Sequence, residues 1–115
     1  MPSFGERFKS SNRLKRPEEF KRVFASNQKV VDKTFLFLAK KNDLNRPRLG
    51  LAVPKKHIQS AVERNRLKRI IRESFRLKQK LLTGKDIVVV VREKIEVNKK
   101  SIEPVLARHW NKIIK

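Results

Sequence analysis

The run IVVVV at residues 87–91 restricts the fold of this chain more than any other feature. Consecutive β-branched residues favour an extended strand, and an uninterrupted apolar run is typical of a strand buried on both faces. Such a strand lies in the middle of a sheet. The run is far shorter than the roughly 20 residues that a membrane-spanning helix needs. We therefore expect a central strand, not a membrane span.

The segments around this strand predict a single α+β domain. Helices are expected over residues 17–26, 60–82 and from about 101 onward, with Pro104 in the first turn of the last one. Three further strands are expected at KVVDK, TFLFLAKK and RLGLAV. The order predicts an αβββαβα sandwich on one sheet. Residues 1–16 are expected to form a flexible basic N-terminal arm, and residues 17–115 the domain.

The charge of the chain indicates a polyanionic partner. The formal net charge is +20, from 31 Lys and Arg against 11 Asp and Glu. Solubility alone needs a net charge of about 2–8 in a small domain. A nucleic acid compensates such an excess well, because each neutralised phosphate releases condensed counterions. The chain has no cysteine and its N-terminal sequence lacks the apolar stretch of a secretory signal, so we expect a cytoplasmic protein.

The helix predicted over residues 60–82 has an apolar side and a basic side. At 100° per residue, the apolar arc contains Leu67, Ile70, Ile71, Ser74, Phe75, Leu77, Leu81 and Leu82. The basic arc contains Asn65, Arg66, Lys68, Arg69, Arg72, Arg76 and Lys80, with Glu73 as its only acid. Like charges four residues apart destabilise a helix by about 0.2–0.5 kcal/mol per pair. Because a solvated surface usually mixes both signs, this arc favours an anionic partner.

Two residues near the start of this helix keep alternative roles. Arg64 lies at the border of the two arcs, where it could reach solvent or act beyond the helix start. Asn65 could contact a base edge or a 2′-hydroxyl, or form a local backbone hydrogen bond. The predominance of arginine in the arc favours nucleic acid, since guanidinium pairs with phosphate and stacks on bases.

These residues resemble a known family. Arg64-Asn65-Arg66, followed by LKR and then by RESFR, resembles the RNR signature of the bacterial ribonuclease P protein subunit. NRLKRPEEFKRVF resembles that family's first helix, RLGLAVPKK its third strand and following loop, and DIVVVVR its fourth strand. The resemblance covers residues 12–112. It implies the αβββαβα fold with a left-handed crossover between the last two strands, although about 98% of parallel crossovers are right-handed.

The resemblance also implies the accessory protein subunit of an endoribonuclease. That family's holoenzyme removes the 5′ leader of precursor tRNA; its RNA subunit holds the catalytic Mg²⁺ ions, and the protein alone is inactive and binds none. The implied partners are the ribonuclease P RNA and precursor tRNA, with no membrane and no obligate protein partner. The implied contacts to the catalytic RNA are Arg64, Asn65, Arg66, Lys68, Arg69, Arg72 and Arg76. The implied contacts to the leader are Phe20, Phe24, Lys55 and Lys56.

Some positions depart from the family pattern. The second strand carries Leu38 where some members have an aromatic residue, so stacking on the leader is expected to be weaker or to involve Phe35 or Phe37. Pro54 stands where a small polar residue is expected, and could bend the loop with Lys55 and Lys56. The pair Phe20 and Phe24 also fits a role in the core.

Other functions fit parts of the sequence. A ribosomal-type or RNA-chaperone protein with no associated reaction would share the size and charge. A membrane-surface or protein-docking helix fits residues 60–82 in isolation. DNA binding fits the charge, but no helix-turn-helix is recognisable. His57 and His109 are expected in loops or at the surface, and neither a phosphate-binding Gly-rich loop nor a cluster of acids is present in the sequence, so no catalytic or metal-binding residue is predicted.

Overall fold

The computed structural model describes residues 12–26 and 28–115, and these form one mixed sheet with three helices. The elements are α1 (Pro17–Phe24), β1 (Gln28–Val31), β2 (Phe35–Lys41), β3 (Arg48–Ala52), α2 (Ala61–Lys78), β4 (Lys85–Val91) and α3 (Lys99–Ile114). The sheet order is β1-β2-β4-β3, with β3 and β4 parallel and the other pairs antiparallel. The predicted αβββαβα order is confirmed, and α2 forms the crossover between the parallel strands. The left hand of that crossover stays a prediction.

Strand β4 is buried on both faces, as its sequence predicts. Ile87, Val89 and Val91 belong to the main core on one side of the sheet. Val88 belongs to a second, smaller cluster on the other side, and Val90 packs against it. Because side chains alternate along a strand, the uninterrupted run serves two layers at once.

The main core lies between the sheet and the helices α2 and α3. Trp110 of α3 is fully buried, and its ring packs edge-on against Phe37 of β2 and Phe75 of α2. The indole Nε1 donates a hydrogen bond of 2.7 Å to Ser74 Oγ. This bond satisfies the polar group of a buried Trp and links α3 to α2.

The apolar arc predicted for the long helix is wrong at its C-terminal end. The α2 helix ends at Lys78 and residues 79–84 turn away toward β4. Leu77, in the last turn of α2, is 63% exposed and Leu81, beyond the helix, is 61% exposed, while Leu82 is fully buried. The remaining members of the arc are buried or half-buried, so α2 is held to the sheet by its first four turns.

The last helix also begins earlier than predicted. Asn98 is its N-cap and accepts a hydrogen bond of 2.9 Å from the Lys100 backbone N–H. Pro104 therefore lies in the second turn, not the first. A proline there removes one intrahelical hydrogen bond. Burial of apolar residues farther along α3, including Trp110, offsets that loss.

The second layer of the sheet is thin. It consists of α1 and the segment before it, with Leu14, Val23, Leu38 and Val88 as its buried residues. Residues 12–16, which the sequence assigns to the arm, pack along β3. The Leu14 backbone N–H donates to Leu49 O (3.0 Å), and Asn12 Nδ2 donates to Pro47 O (2.8 Å). Residues 1–11 of the predicted arm lie outside the described residues.

Candidate nucleic-acid interface

The start of α2 is fixed by side chains of its own sequence. Ser60 Oγ accepts a hydrogen bond from the Glu63 backbone N–H at 3.2 Å, a standard N-cap. Arg64 Nη1 donates to Ile58 O at 2.9 Å and to Gln59 O at 2.8 Å. Arg64 therefore acts beyond the helix start. It ties the loop after β3 to α2.

A basic groove follows α2 on the side of β3. Arg13, Asn65, Arg69, Arg72 and Glu73 line a depression of about 430 Å³. Burial lowers the pKa of Arg72 from its ordinary value, and repulsion from Arg13 lowers it further. A half-buried guanidinium beside a second cation is a favourable place for a phosphate group, which neutralises both charges and pairs with the guanidinium fork.

The other basic residues of α2 differ in how they are engaged. Arg76 forms two hydrogen bonds with the Glu73 carboxylate, from Nε at 3.0 Å and from Nη2 at 2.5 Å. Arg66 Nη1 lies 3.7 Å from Glu63 Oε2 and its side chain is 55% exposed. Within the described part of the chain, the side chains of Lys68 and Arg69, like that of Arg72, form no hydrogen bond or ion pair. These cations are therefore available to an external anion.

The helix α1 forms a wall above the other face of the sheet. Val23 is its fully buried residue. Phe20 is half-buried and lies directly on the backbone of β3. A Cβ placed on Gly50 would come within 2.5 Å of Phe20 Cε1 and 2.6 Å of Cζ. Phe24 is 47% exposed, so it does not belong to the core.

The sheet beside this wall is apolar and partly uncovered. Leu36 of β2 and Val90 of β4 are half-buried register partners, and Val31 of β1 is 56% exposed next to Leu36. These three strand residues leave a partly exposed aliphatic surface beside the α1 wall, which we call the cleft and whose floor they form. It offers the flat apolar surface on which a nucleobase can lie.

The aromatic residues of β2 take no part in this cleft. Phe35 and Phe37 are buried in the main core on the opposite face, so the expectation that either could stack on RNA is wrong. Leu38 is 2% exposed and lies in the small cluster under α1. Leu36 is the β2 residue that faces the open part of the cleft.

The loop after β3 brings two lysines to the same end of the sheet. The Pro54 carbonyl accepts hydrogen bonds from the backbone N–H groups of His57 (3.1 Å) and Ile58 (3.2 Å), which closes a turn. Lys55 and Lys56 are exposed in this turn. The strand leaves the sheet at Ala52, the register partner of Val90, so the turn follows the uncovered end of the cleft floor.

Two functional features escaped the sequence reasoning. Arg13 joins the basic groove through the segment before α1, which pairs with β3 around Leu49, and nothing local in the sequence indicates this pairing. Gly50 permits the close approach of Phe20. An isolated glycine within a strand pattern is a known sign of such an approach, so this residue could have been found.

The histidines do not form a catalytic group. His57 is half-buried in the loop, but His109 is buried against Phe37, so its expected surface position is wrong. Its Nε2 lies 3.1 Å from Asp32 Oδ2. Within residues 12–26 and 28–115, no three His, Asp or Glu side chains are grouped to hold a metal ion. No helix of this described part is long and apolar enough to cross a membrane.

The sequence of this chain is similar to those of known proteins over nearly its whole length. The family model for ribonuclease P matches residues 8–114. The ribonuclease P protein components of Nitrosococcus oceani and Pseudomonas fluorescens are 42% and 48% identical; the alignments cover 100% and 94% of this chain and 96% and 80% of those proteins.

Solved structures agree with the sequence relatives. The ribonuclease P protein of Staphylococcus aureus superposes with a TM-score of 0.79 at 29% identity, covering 87% of this chain and 93% of that one. The ribonuclease P protein of Thermotoga maritima gives a TM-score of 0.72 at 30% identity, covering 86% and 96%. The chain described here therefore belongs to the ribonuclease P protein family.

Proposed function

We propose that this chain is the RNA-binding protein subunit of a ribonuclease P holoenzyme and acts on precursor tRNA. The main support for this proposal is a pocket to which both α1 and α2 contribute. Phe20 of the α1 wall and Lys68 and Arg72 of the basic helix line the same small pocket, of about 120 Å³, together with Arg13 and Gly50. The α1 wall and the basic groove therefore adjoin at this pocket, which shares Arg13 and Arg72 with the groove. Such proximity suits a protein that binds a folded RNA and a single strand emerging from it.

The basic side of α2 binds the catalytic RNA in this proposal. Lys68, Arg69 and Arg72 neutralise phosphates, with Asn65 placed among them as a hydrogen-bonding side chain. Arg66 joins this set, whereas Arg64 supports it by holding the preceding loop. Arg76, already paired with Glu73, contributes least.

The α1 cleft binds the 5′ leader. Single-stranded RNA is held by stacking on apolar and aromatic surfaces combined with cations that follow the backbone. Phe20 and Phe24 supply the aromatic surface, and Lys55 and Lys56 supply charge at the open end. The floor residues Leu36, Val90 and Val31 are aliphatic, so their side chains offer no polar group for reading base identity. We expect leader binding to be tolerant of sequence.

The reaction proposed for the holoenzyme is hydrolysis of the phosphodiester bond that joins leader and tRNA. The Mg²⁺ ions would be held by the RNA subunit and would supply an activated water for this hydrolysis. The protein contributes charge: neutralised phosphates no longer need to be screened by free cations. It should therefore lower the Mg²⁺ concentration that the RNA needs to fold, bind substrate and cleave.

Cleavage at low Mg²⁺ tests the proposal directly. A 5′-labelled precursor tRNA is incubated with a bacterial ribonuclease P RNA, with and without this protein. Stimulation with release of an intact leader is the expected result. If the RNA is active at high Mg²⁺ but the folded protein does not stimulate it at low Mg²⁺, the subunit function is refuted, and a general RNA-binding function replaces it.

The assignment of the basic face has its own test. The double variant Arg66→Ala with Arg69→Ala should bind the catalytic RNA more weakly and with a smaller salt dependence. Loss of two phosphate contacts reduces the slope of log K against log salt by about 1.4–1.8. The double variant Arg108→Ala with Lys112→Ala removes the same charge from exposed positions of α3 and serves as the control. Equal slopes for both double variants would contradict the assignment.

A further inference from the structure

A buried carboxylate connects both parallel strands to α1. The Asp86 side chain, at the start of β4, is fully buried and accepts four hydrogen bonds. Arg48 of β3 donates two of them, from Nε at 2.8 Å and from Nη2 at 2.7 Å. Asn42 Nδ2 and Arg22 Nη2 each donate one at 2.8 Å. The carboxylate therefore holds one side chain from the sheet, one from a loop and one from α1.

A second carboxylate extends this network to the segment before α1. Arg48 Nη1 donates to Glu19 Oε2 at 2.6 Å. Glu19 Oε1 in turn accepts the backbone N–H groups of Lys15 and Arg16, both at 2.9 Å. One guanidinium thus joins Asp86 of the sheet to Glu19 of the helix. The connection continues into the backbone next to Arg13, which lines the basic groove.

The apolar contacts of α1 are too few to fix its position alone. The helix has eight residues, of which Val23 is the only one that is buried. The network contacts it at Glu19 and Arg22, on either side of Phe20. Burial raises the pKa of Asp86, but the hydrogen bonds from Arg48, Asn42 and Arg22 outweigh it, and the pKa lies below its ordinary value. The carboxylate is therefore charged at neutral pH, where it can accept all four hydrogen bonds.

We infer that Glu19, Arg48 and Asp86 are positioning residues for leader binding: they fix the height of Phe20 above β3 and thereby the shape of the cleft. The inference rests on the proposed function of the cleft. None of the three touches the open cleft floor formed by Leu36 and Val90. They act through α1.

The test uses holoenzyme reconstituted with a bacterial ribonuclease P RNA. Its affinity is measured for a precursor tRNA and for the same tRNA without leader, and their ratio is the leader advantage. Arg48→Lys keeps the charge but loses the fork that reaches both carboxylates. Glu19→Gln keeps an oxygen acceptor but loses the charge. Glu103→Gln removes one negative charge from an exposed position of α3 and is the control.

We expect Arg48→Lys and Glu19→Gln each to reduce the leader advantage by about fivefold or more. A fivefold loss of affinity is the lower limit expected when one base no longer stacks on an aromatic side chain. Affinity for the leaderless tRNA should be unchanged, and Glu103→Gln should match the wild type. Equal losses for both RNAs, or an intact leader advantage, would overturn the inference. If Arg48→Lys fails to fold, Glu19→Gln decides, because its side chain is partly exposed. A wild-type holoenzyme without any leader advantage would refute the cleft function itself.

Discussion

Gly50→Ala is the most informative single perturbation of the cleft. The new Cβ would lie 2.5 and 2.6 Å from two Phe20 ring carbons and 3.2 Å from Leu14 Cδ1. Carbon atoms in contact are normally about 3.5–4.0 Å apart, so the ring must move by about 1 Å. Overpacking of this kind costs about 1–3 kcal/mol. We expect about 1–2 kcal/mol of lost stability, since a half-buried ring can partly rotate away.

The assay is a double-mutant cycle measured by thermal or urea unfolding. In the Phe20→Ala background, the added Cβ of Gly50→Ala meets no ring. Alanine there should be neutral or even stabilising, because glycine within a strand is destabilising by about 0.5–1 kcal/mol. The effect of Gly50→Ala should thus depend on Phe20, with a coupling of at least about 1 kcal/mol.

The same substitution should also change function. Moving the Phe20 ring changes the α1 wall, so the leader advantage of the Gly50→Ala holoenzyme should fall. If Gly50→Ala costs the same stability with and without the Phe20 ring, the packing of this ring on β3 is not as described. The placement of the α1 wall would then have to be abandoned.

Three further predictions concern the side of the sheet that α2 and α3 cover. Burial lowers the pKa of His109. The positive charges of Lys112 and Arg108 lower it further, whereas Asp32 raises it by less than these effects lower it. Below about pH 6.5 the unfolded chain therefore binds a proton at His109 more readily than the folded chain does. The free energy of unfolding should fall from pH 7 to 5.5 as a result. In thermal unfolding experiments, His109→Gln should make this fall smaller. Trp110→Phe leaves Ser74 Oγ without its donor and should cost about 1–3 kcal/mol in urea unfolding, partly restored by adding Ser74→Ala. Leu77→Gln should change stability by less than about 0.5 kcal/mol, whereas Leu67→Ala should cost about 2–5 kcal/mol.

The features that the sequence predicts correctly are those carried by local patterns. The run of valines predicts that β4 is a strand covered on both sides. The spacing of the arginines predicts that α2 has one charged face. Both depend only on residues close together in the chain. The same holds for the helix start at Ser60, which is a typical N-cap residue.

The features that local sequence patterns do not predict depend on contacts between residues far apart in the chain. Arg48 and Asp86 meet because β3 and β4 pair in a parallel register that places them side by side, 38 residues apart. The segment FLFLA is apolar at every position, so alternation could not tell that Phe35 and Phe37 face the main core. Leu77 fits the helical periodicity of the apolar arc yet is 63% exposed, because burial depends on which other elements cover a helix face, and periodicity does not encode that.

The two sides of the sheet differ greatly in how much they bury. The side of α2 and α3 contains most of the buried apolar residues, whereas the side of α1 contains four. Backbone amides of α1 should therefore exchange with solvent through local opening, well before those of β4, which exchange only on global unfolding. Each such opening would break the bond from Arg22 to Asp86 and the bond from Arg48 to Glu19, while Arg48 and Asn42 keep their bonds to Asp86. The α1 layer, to which leader binding is proposed, can thus open and reclose while the layer of α2 and α3 keeps the molecule folded.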